Sequence, residues 1–600
     1  MNIRETLSHP LDAQLILRKK NTIKRHLAER DGLRPLKVAM LGGSTTSELL
    51  ALLECFLLDY GFAAEFYESE YNQFYQDALF NLDALRAFAP DIVVVHTSSR
   101  NVLHWPSPGV TEDDVNALLG SELQRFDAVW DALSALECPV IQNNFDHLGE
   151  RVLGNMDGYA LAGASHYLAR LNLAFAEAAR RRTALYINDI HYLSAQVGIS
   201  RWHDEKLWCV AKYAMSLEAC VEVAWSMAKI INAVKGGSKK CLVLDLDNTC
   251  WGGVIGDDGL HGIAIGTETA HAEAYTRFQR YVKKLHGRGV MLAVCSKNEE
   301  GNAKQGFGHP DSVLSLADFS AFKANWDPKS HNIGEIAREM NIGEDALVFI
   351  DDNPAERDIV SAQLPSVAVP DVGDDVTDFI DHIDKNGFFE AVALSKDDLE
   401  RNRHYQQNAQ RQSEQATFAH YDDYLASLAM QAEILPFSPL YIERIAQLTN
   451  KTNQFNLTTK RYSVAELSER ANHPQYITLY GRLRDKFGDN GLIAVNLIEI
   501  KNDSEAHIDL WLMSCRVLKR NMEQAMLDEI VQACIARDIH TLYGYYSATA
   551  KNAMVKELYG SLGFTRVSGD DNNSTWVLSI PSPYTKQNTL IEVNNGYHNN

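Results

Sequence analysis

The stretch from Lys240 to Gly253 constrains this chain most, because an apolar run ends there abruptly in two carboxylates, Asp245 and Asp247. An apolar run ending in Asp-x-Asp-x-Thr is typical of a buried strand in a parallel sheet. It places both side chains in the crevice at the carboxyl end of the strands, where open α/β sheets bind ligands. Carboxylates crowded in this way need a cation. Mg²⁺ suits them, because it prefers oxygen ligands and is usually shared between protein carboxylates and a substrate phosphate.

A carboxylate pair in this position can perform covalent phosphoryl transfer. Asp245 would attack phosphorus, while Asp247 would protonate the leaving oxygen and later activate water against the aspartyl-phosphate. Such chemistry is helped by a hydroxyl donor that holds a phosphoryl oxygen. Ser296 can fill this role, because it ends the apolar run that begins at Val290. Asn298, two residues later, is a further candidate for contact with the substrate.

The same chemistry needs a cation to offset the charge of the transition state, and further ligands for the metal. Lys323 and Lys329 are both candidates for the cation. We prefer Lys329, because a helical pattern begins directly after it. A second acidic pair, Asp351 and Asp352, follows the apolar run Ala346–Ile350.

This order of parts resembles the haloacid dehalogenase (HAD) phosphotransferase superfamily, and the residues that fall on its four motifs are Asp245, Asp247, Thr249, Ser296, Lys329, Asp351 and Asp352. The resemblance implies a Rossmann-like parallel sheet with a Mg²⁺ site. The four acidic residues would be its metal ligands, and Thr249 would contact the substrate.

Composition limits the kinds of partner. A chain of 600 residues is too long for one hydrophobic core and predicts three or four domains. The net charge of -22 and the sequence pI of about 5.4 argue against binding to nucleic acid or to an anionic membrane. The nine cysteines show no paired spacing, which predicts reduced thiols in a cytoplasmic protein. No apolar run approaches the length of a membrane span.

Breaks in the sequence pattern predict five regions. We expect α/β domains at 1–235 and 236–385, a helical linker at 386–430, an α+β domain at 431–582, and a disordered, polar tail at 583–600. The first boundary is the small, polar stretch that precedes Lys240.

The N-terminal region opens with an apolar strand that ends in the turn Gly42–Thr46. A serine in such a turn lies near free backbone N–H groups, which suits a nucleophile with an oxyanion hole. The arrangement resembles the SGNH hydrolase fold, and the resemblance implies a second site at Ser44, Asn101 and His203. His191 competes for the role of base. A binding or docking remnant without hydrolysis, or anion binding by the turn, remains open.

The C-terminal region resembles the GNAT acyltransferase fold. Its strand from Ile508 leads into a helix from about Met522, and Tyr559 lies where members of that fold often place a general acid. The loop after the strand reads Arg516-Val-Leu-Lys-Arg-Asn521 and lacks the glycines that let a backbone approach a pyrophosphate closely. Acetyl-CoA is therefore not the expected cofactor, and a scaffold that only docks a carrier is as compatible with the sequence as a transferase.

The three regions in this order resemble the FkbH-like family, also called HAD subfamily IIIC. The resemblance predicts a multidomain α/β protein, with a HAD-type parallel sheet core flanked by an SGNH-like α/β domain and a GNAT-like α+β domain. It implies an enzyme that takes the glyceryl unit of 1,3-bisphosphoglycerate, removes its phosphates and loads it as a thioester onto the phosphopantetheine of an acyl carrier protein. The short connection Trp251–Gly259 leaves no room for a large cap, so the site is expected to be open to a tethered group.

A cysteine could relay the acyl group to the carrier, and the candidates are Cys295, Cys515 and, beside the aspartate pair, Cys250. Further residues are expected to line the substrate or carrier site: Asn453, Gln454, Asn456 and Arg516. A hydrogen-bonded turn is the alternative interpretation for the first three.

Two other functions remain open. One is a stand-alone HAD phosphatase that acts on a small sugar or acyl phosphate. The other is a non-catalytic loading or assembly partner in polyketide or cell-surface glycan biosynthesis. The intact motif set argues against the second.

Overall fold

The computed structural model describes residues 3–394, 407, 411, 414–415, 418, 420–452, 454–514, 517–549 and 552–595. The chain forms two compact units, one built from Met1–Ser238 and Asp384–Val392 and the other from Lys239–Ile383 and Ala393–Asn600. Within the residues just given, no helix is both long enough and apolar enough to cross a membrane. The predicted multidomain α/β class is confirmed.

The first unit is built on a five-stranded parallel sheet with the order β2-β1-β3-β4-β5. Its strands are Arg34–Gly42 (β1), Phe62–Glu68 (β2), Ile92–His96 (β3), Val140–Asn143 (β4) and Leu185–Asn188 (β5). Its helices are Ile3–Thr6 (α1), Ala13–Ala28 (α2), Ser47–Asp59 (α3), Phe74–Phe80 (α4), Leu82–Phe88 (α5), Glu112–Ser134 (α6), Ala164–Arg181 (α7), Ile190–Val197 (α8), Ile199–Trp202 (α9), Glu205–Ala211 (α10) and Leu217–Val234 (α11). The strand order reverses between β1 and β3, and such sheets bind ligands at this point.

Both faces of this sheet are buried, which explains why its strands are continuous apolar runs. Along β1, Val38 and Met40 join a core with α2, α3 and α11, while Ala39 and Leu41 join a second core with α6 and α7. Because successive side chains of a strand point to opposite faces, an uninterrupted apolar run is needed to fill both cores. The carboxyl ends of the strands are left for polar residues.

The second unit begins with a four-stranded parallel sheet in the order β8-β7-β6-β9. Its strands are Cys241–Leu244 (β6), Met291–Ser296 (β7), Phe319–Ala324 (β8) and Leu347–Ile350 (β9). Its helices are Ile255–Asp258 (α12), Ala270–Gly287 (α13), Glu300–Gly306 (α14), Lys329–Glu339 (α15), Pro354–Gln363 (α16) and Val376–Lys385 (α17). The predicted acidic residues follow the central strand β6 and its neighbour β9.

The C-terminal region of the second unit is a mixed sheet in the order β15-β16-β14-β13-β12-β11-β10-β17. Its strands are Gln431–Leu435 (β10), Tyr476–Asp485 (β11), Gly488–Asn502 (β12), Glu505–Met513 (β13), Thr541–Ser547 (β14), Thr565–Gly569 (β15), Asn573–Ser579 (β16) and Glu592–Asn594 (β17). Its helices are Tyr421–Ser427 (α18), Ile442–Lys451 (α19), Val464–Asn472 (α20), Met522–Ile535 (α21) and Leu558–Ser561 (α22). The helix predicted to start near Met522 is confirmed.

The predicted disorder after Pro583 is wrong as far as residue 595. β17 pairs with β10, and Ile591 is buried in the adjoining core. The Tyr584 hydroxyl and the Gln587 N–H both donate to the carboxylate of Asp528, which is itself buried. The sequence of this polar segment predicts disorder because only one apolar residue, Ile591, and the distant carboxylate of Asp528 hold it in place. Neither contact produces a local sequence pattern.

The middle of the helical linker predicted at 386–430, from 395 to 419, falls mostly outside the described residues. At its start, Asp384–Val392 belongs to the first unit. Within it, the Arg411 guanidinium donates two hydrogen bonds to the buried carboxylate of Asp485, each of 2.8 Å.

Candidate active site

The two acidic pairs come together at the carboxyl edge of the four-stranded sheet. β6 and β9 are hydrogen-bonded neighbours, and the Asp245 N–H donates to the Ile350 carbonyl at 2.9 Å. One carboxylate oxygen each from Asp245, Asp351 and Asp352 lies within 4.8 Å of the others. Asp245 is 5% exposed and Asp351 is fully buried, so the three carboxylates form a sheltered group.

Lys329 bridges two members of this group. It is the first residue of α15, and its Nζ lies 2.9 Å from Asp245 Oδ1 and 2.5 Å from Asp351 Oδ2. Burial acts to lower the pKa of Lys329, but the two carboxylates outweigh burial and raise that pKa above its usual value. Lys323, the alternative candidate, instead pairs with Glu339 at 3.1 Å.

The charges of the group favour a divalent cation. Burial raises the pKa of Asp351 to about 6, and the nearby charge of Asp245 adds to the rise while Lys329 opposes it. Burial also raises the pKa of Asp352. A shared cation would stabilise the ionised form of these carboxylates, which repel one another. Three ligands that are all oxygen atoms suit Mg²⁺. Thr249 orders this set, because its hydroxyl accepts from the Asp352 N–H at 3.2 Å.

Asp247, which the sequence also suggested as a metal ligand, lies outside this three-carboxylate group and faces a different set of partners. Its Oδ1 accepts from the Trp251 indole at 2.9 Å and from the Ile255 N–H at 3.0 Å. Its Oδ2 accepts from the Asn298 amide at 2.9 Å. Burial raises the pKa of Asp247, while these donors oppose the rise. Three donors therefore fix the orientation of the carboxylate that would exchange protons.

Sequence reasoning missed the roles of Trp251 and Arg357. The Trp251 ring is fully buried, and a Cβ added at Gly306 would lie 2.5 Å from it, so its position is fixed by packing. The Arg357 guanidinium donates to the carbonyls of Asp351 and Asp352 and holds the loop that carries both. The only available signals were a tryptophan four residues after Asp247 and an arginine near the second acidic pair.

Ser296 and the neighbouring thiols lie beside the same edge. Ser296 is the last residue of β7, next to β6, and is 2% exposed. Cys295 is fully buried with its Sγ 3.6 Å from the Lys329 carbonyl, and Cys250 is fully buried with its Sγ 3.2 Å from the Asp245 carbonyl. Burial raises the pKa of both thiols well above the usual range. The raised pKa disfavours the thiolate form at both positions, and burial keeps both thiols from contacting a large partner.

The residues of the possible second site in the first unit are not joined into a catalytic relay. Asn101 holds the turn, because its amide donates to the Gly43 carbonyl at 2.8 Å, and a Cβ at Gly43 would lie 2.5 Å from the Asn101 amide oxygen. The hydroxyl of Ser44 is buried and has no hydrogen-bond partner. Nε2 of His203 lies 2.8 Å from the His147 carbonyl. Nδ1 of His203 and Nδ1 of His191 have no hydrogen-bond partner, so neither histidine is bonded to Ser44. A nucleophile needs a base within hydrogen-bond reach.

Tyr559 is fully buried in the C-terminal region. Its ring lies 6.0 Å from the ring of Trp511, and a Cβ added at Gly544 would lie 2.4 Å from it. Burial raises the pKa of Tyr559 above its usual range. It therefore packs as a core residue rather than facing an open surface. Cys515 and Arg516 lie outside the described residues.

The amide-rich segment that contains Gln454 and Asn456 fills a gap between strands. β13 and β14 pair in parallel only over their first four residues. Beyond these, the Met513 N–H donates to the Phe455 carbonyl and the Ser547 N–H to the Leu457 carbonyl. The Asn456 side chain donates to the Thr452 carbonyl and accepts from the Thr459 N–H, so it hydrogen-bonds to backbone on both sides of its turn. These bonds agree with the alternative interpretation of the segment as a hydrogen-bonded turn. Asn453 lies outside the described residues.

Comparison with known proteins agrees with this geometry. The family described as FkbH, N-terminal domain, matches residues 37–232. The crystal structure of the N-terminal part of protein BF1531 from Bacteroides fragilis, which contains a phosphatase domain complexed with Mg, is 32% identical. That match covers 62% of this chain and 99% of the other, with a TM-score of 0.58. A search of the curated proteins found no match.

Solved acetyltransferases also match the chain, at low similarity. The ribosomal-protein-S18-alanine N-acetyltransferase from Escherichia coli is 16% identical, covering 25% of this chain and 94% of that chain with a TM-score of 0.20. N-acetyltransferase PseH from Campylobacter jejuni is 15% identical, covering 25% of this chain and 98% of that chain with a TM-score of 0.18.

The four-stranded sheet, the three-carboxylate group and the bridging lysine define a HAD-type phosphatase site. The flanking α/β unit matches a family of its own over most of its length. The chain therefore belongs to the FkbH-like family of HAD proteins.

Proposed function

We propose that the chain is a Mg²⁺-dependent phosphatase that works through an aspartyl-phosphate on Asp245. The observation that carries the proposal is the bridging of Asp245 and Asp351 by the buried Lys329, with Asp352 close enough to complete an oxygen-only cation site. The magnesium in the Bacteroides fragilis relative supports the choice of metal. When bound, the cation would neutralise the phosphoryl oxygens.

The protein residues would act in two steps. First, the Asp245 carboxylate attacks phosphorus, the bond to the leaving oxygen breaks, and Asp247 gives that oxygen a proton. Next, Asp247 takes a proton from water, the water oxygen attacks the aspartyl-phosphate, and Asp245 is released with inorganic phosphate. Lys329 and the Ser296 hydroxyl would hold the transferring group throughout. The three donors to Asp247 suit a residue that must exchange protons in one orientation in both steps.

The finer proposal is that the substrate is a phosphorylated three-carbon acyl donor such as 1,3-bisphosphoglycerate, and that the acyl unit is loaded onto an acyl carrier protein. The carrier thiol would attack the acyl carbon, the bond from that carbon to the phosphate oxygen would break, and phosphate would leave. An open site supports this proposal. Over residues 248–290, all of which are described, the chain forms only α12 and α13, so no cap domain separates Asp247 from β7.

A relay through an enzyme thiol is constrained by the structure. Cys295 and Cys250 are both fully buried, and burial raises the pKa of each thiol. Direct attack by the carrier's phosphopantetheine thiol needs neither of them. Cys515 stays a candidate relay on sequence grounds.

The test is to incubate the full chain with Mg²⁺, 1,3-bisphosphoglycerate and a phosphopantetheinylated carrier. Free phosphate and the intact mass of the carrier are then measured. A glyceryl-sized mass gain on the carrier is expected, and Asp245→Asn should abolish release of the phosphate on the glyceryl carbon. Asp358→Asn, at an exposed position of α16, is the matched control and should behave as wild type.

Two outcomes separate the alternatives. Phosphate release that depends on Asp245 without any change in the carrier's mass favours a stand-alone phosphatase of small acyl or sugar phosphates. If no acyl or sugar phosphate is hydrolysed in the presence of Mg²⁺, the phosphatase proposal itself is wrong and a non-catalytic loading partner gains support.

A further inference from the structure

Lys297 is a cation at the edge of the candidate active site that takes no part in the proposed two-step reaction. It directly follows Ser296, the last residue of β7, and precedes Asn298, whose amide donates to Asp247. Both neighbours are buried, whereas the Lys297 side chain is 38% exposed. This segment therefore buries two residues of the site and leaves the ammonium between them accessible to solvent.

The Lys297 ammonium pairs with Glu356 at the carboxyl end of β6. Glu356 lies in the first turn of α16, and one of its carboxylate oxygens is 2.5 Å from Lys297 Nζ. Because β6 lies between β7 and β9, an ion pair that joins the segments after β7 and β9 spans the edge at which Asp245 lies. Burial raises the pKa of the Cys295 thiol, and the charges of Asp245 and Glu356 both add to the rise, which agrees with this proximity. The ion pair therefore lies at the entrance to the site.

Few cationic side chains are available at this edge. The loops after β6, β7, β8 and β9 and the first turns of the helices that follow them, all of which the structure describes, contain three lysine or arginine residues: Lys297, Lys329 and Arg357. Lys329 holds two buried carboxylates, and Arg357 holds two backbone carbonyls. Their side chains are 5% and 9% exposed. Of the three cations, Lys297 is the one that an incoming substrate can reach from solvent.

A substrate with a second anionic group would need such a cation. The carboxylates of the site repel a further negative charge, so a second anionic group binds at the entrance only where a positive charge offsets them. Lys297 can supply this charge, because lysine carries a compact ammonium on a flexible stem. Exchange of its partner costs little, because solvent-exposed ion pairs contribute little to stability.

We propose that Lys297 binds a second anionic group of the phosphorylated substrate, a carboxylate or another phosphate, and that Glu356 holds the ammonium until the substrate arrives. Lys297 would then make the site specific for phosphorylated acids over simple phosphate esters. The inference rests on the proposed phosphatase function and does not depend on loading of a carrier.

The test compares the hydrolysis of 3-phosphoglycerate with that of the glycerol phosphate of the same configuration, by the full chain with Mg²⁺. The two substrates differ only in a carboxylate that replaces a hydroxymethyl group, so the ratio of their kcat/KM values measures recognition of the second anionic group. Wild type should prefer the acid about tenfold, as expected for a hydrogen bond between charged groups. Lys297→Met should remove or reverse this preference, mainly by raising KM for the acid.

Two further variants complete the test. Lys304→Met is the matched control, because it removes a lysine of α14 that is 44% exposed and pairs with Glu300 in the same helix. It should keep the wild-type ratio. Glu356→Gln removes the carboxylate that competes for the ammonium, so it should lower KM for the acid.

The proposal is overturned if wild type shows no preference for the acid, if Lys297→Met keeps the preference, or if Lys304→Met loses it equally. Hydrolysis of p-nitrophenyl phosphate separates the two proposals. If wild type hydrolyses it but does not prefer the acid, only the role of Lys297 fails. If wild type hydrolyses none of the three compounds, the phosphatase function is refuted as well.

Discussion

Replacing Lys329 by methionine tests the electrostatic account of the active site most directly. The Nζ of Lys329 lies 2.9 Å from one buried carboxylate and 2.5 Å from another. At an effective dielectric constant of about 20, each contact contributes roughly 6 kcal/mol of attraction before the cost of burying the charges is subtracted. Removing one partner of a buried ion pair costs about 3–5 kcal/mol, because it leaves uncompensated charge. Lys329→Met leaves Asp245, Asp351 and Asp352 without their cation.

The expected result is a large thermal shift that depends on Mg²⁺. For a domain of 150–250 residues, the size class of the region 236–385, about 2–4 °C of midpoint per kcal/mol converts the loss into roughly 6–20 °C without the metal. Mg²⁺ should stabilise Lys329→Met more than wild type, because the site without the lysine is more negative and binds the cation more tightly. A ligand that binds the folded state more tightly raises its stability by more. Turnover should fall about 10²–10³-fold, as expected when one transition-state contact is lost.

Lys323→Met is the matched control. Lys323 lies in β8, six residues before Lys329, but pairs at the surface with Glu335 and Glu339, and its side chain is 27% exposed. Such a surface pair contributes about 0–1 kcal/mol. Differential scanning fluorimetry with and without Mg²⁺ measures both variants. If Lys329→Met loses no more stability than Lys323→Met, or if Mg²⁺ fails to reduce its loss, the reasoning is refuted.

Trp251→Phe removes one of the donors that orient Asp247. Because the leaving group of an alkyl phosphate needs a proton and that of p-nitrophenyl phosphate does not, kcat should fall about tenfold more for alkyl phosphates. Equal losses of kcat for the two substrates would contradict the positioning role of Trp251. Burial lowers the pKa of His96 to about 4, below the unfolded value of about 6.5. The folded state therefore loses up to about 3 kcal/mol as the pH falls from 6.5 toward 4. Urea titrations should show a flatter pH slope for His96→Gln, whereas the exposed control His26→Gln should keep the wild-type slope. Deleting residues 583–600 should lower the thermal midpoint of the C-terminal sheet, and an unchanged midpoint would show that β17 adds no stability.

The phosphatase site was largely predictable because each of its parts follows a local pattern. Asp245, Ser296 and Asp351 each lie at or directly after the end of an apolar strand. In a parallel sheet the carboxyl ends of neighbouring strands meet at one edge, so local patterns suffice to bring distant residues together. The helical pattern after Lys329 distinguished it from Lys323, because the first residue of a helix at this edge points back toward the crevice.

Contacts between distant segments left no such signal. Trp251 reaches Asp247 only because the turn between them folds back, and Arg357 reaches two carbonyls across a loop. The segment Phe455–Leu457 hydrogen-bonds between β13 and β14, more than fifty residues further along the chain. No periodicity in the segment predicts this pairing. The hydrogen-bond partners depend on where β13 and β14 separate, and not on the sequence of the segment itself.

The turns at Ser44 and Asp245 show why one strand–turn pattern can predict a catalytic site and another cannot. Both follow the end of a buried parallel strand, and both present a reactive side chain near the carboxyl edge of the sheet. At Asp245, the loop after the neighbouring strand β9 and the start of α15 bring a lysine and a carboxylate to within 5 Å. At Ser44, the buried hydroxyl has no hydrogen-bond partner, so no base is bonded to it. A local pattern therefore identifies where chemistry is possible, and the groups that neighbouring elements bring to the residue decide whether it can react.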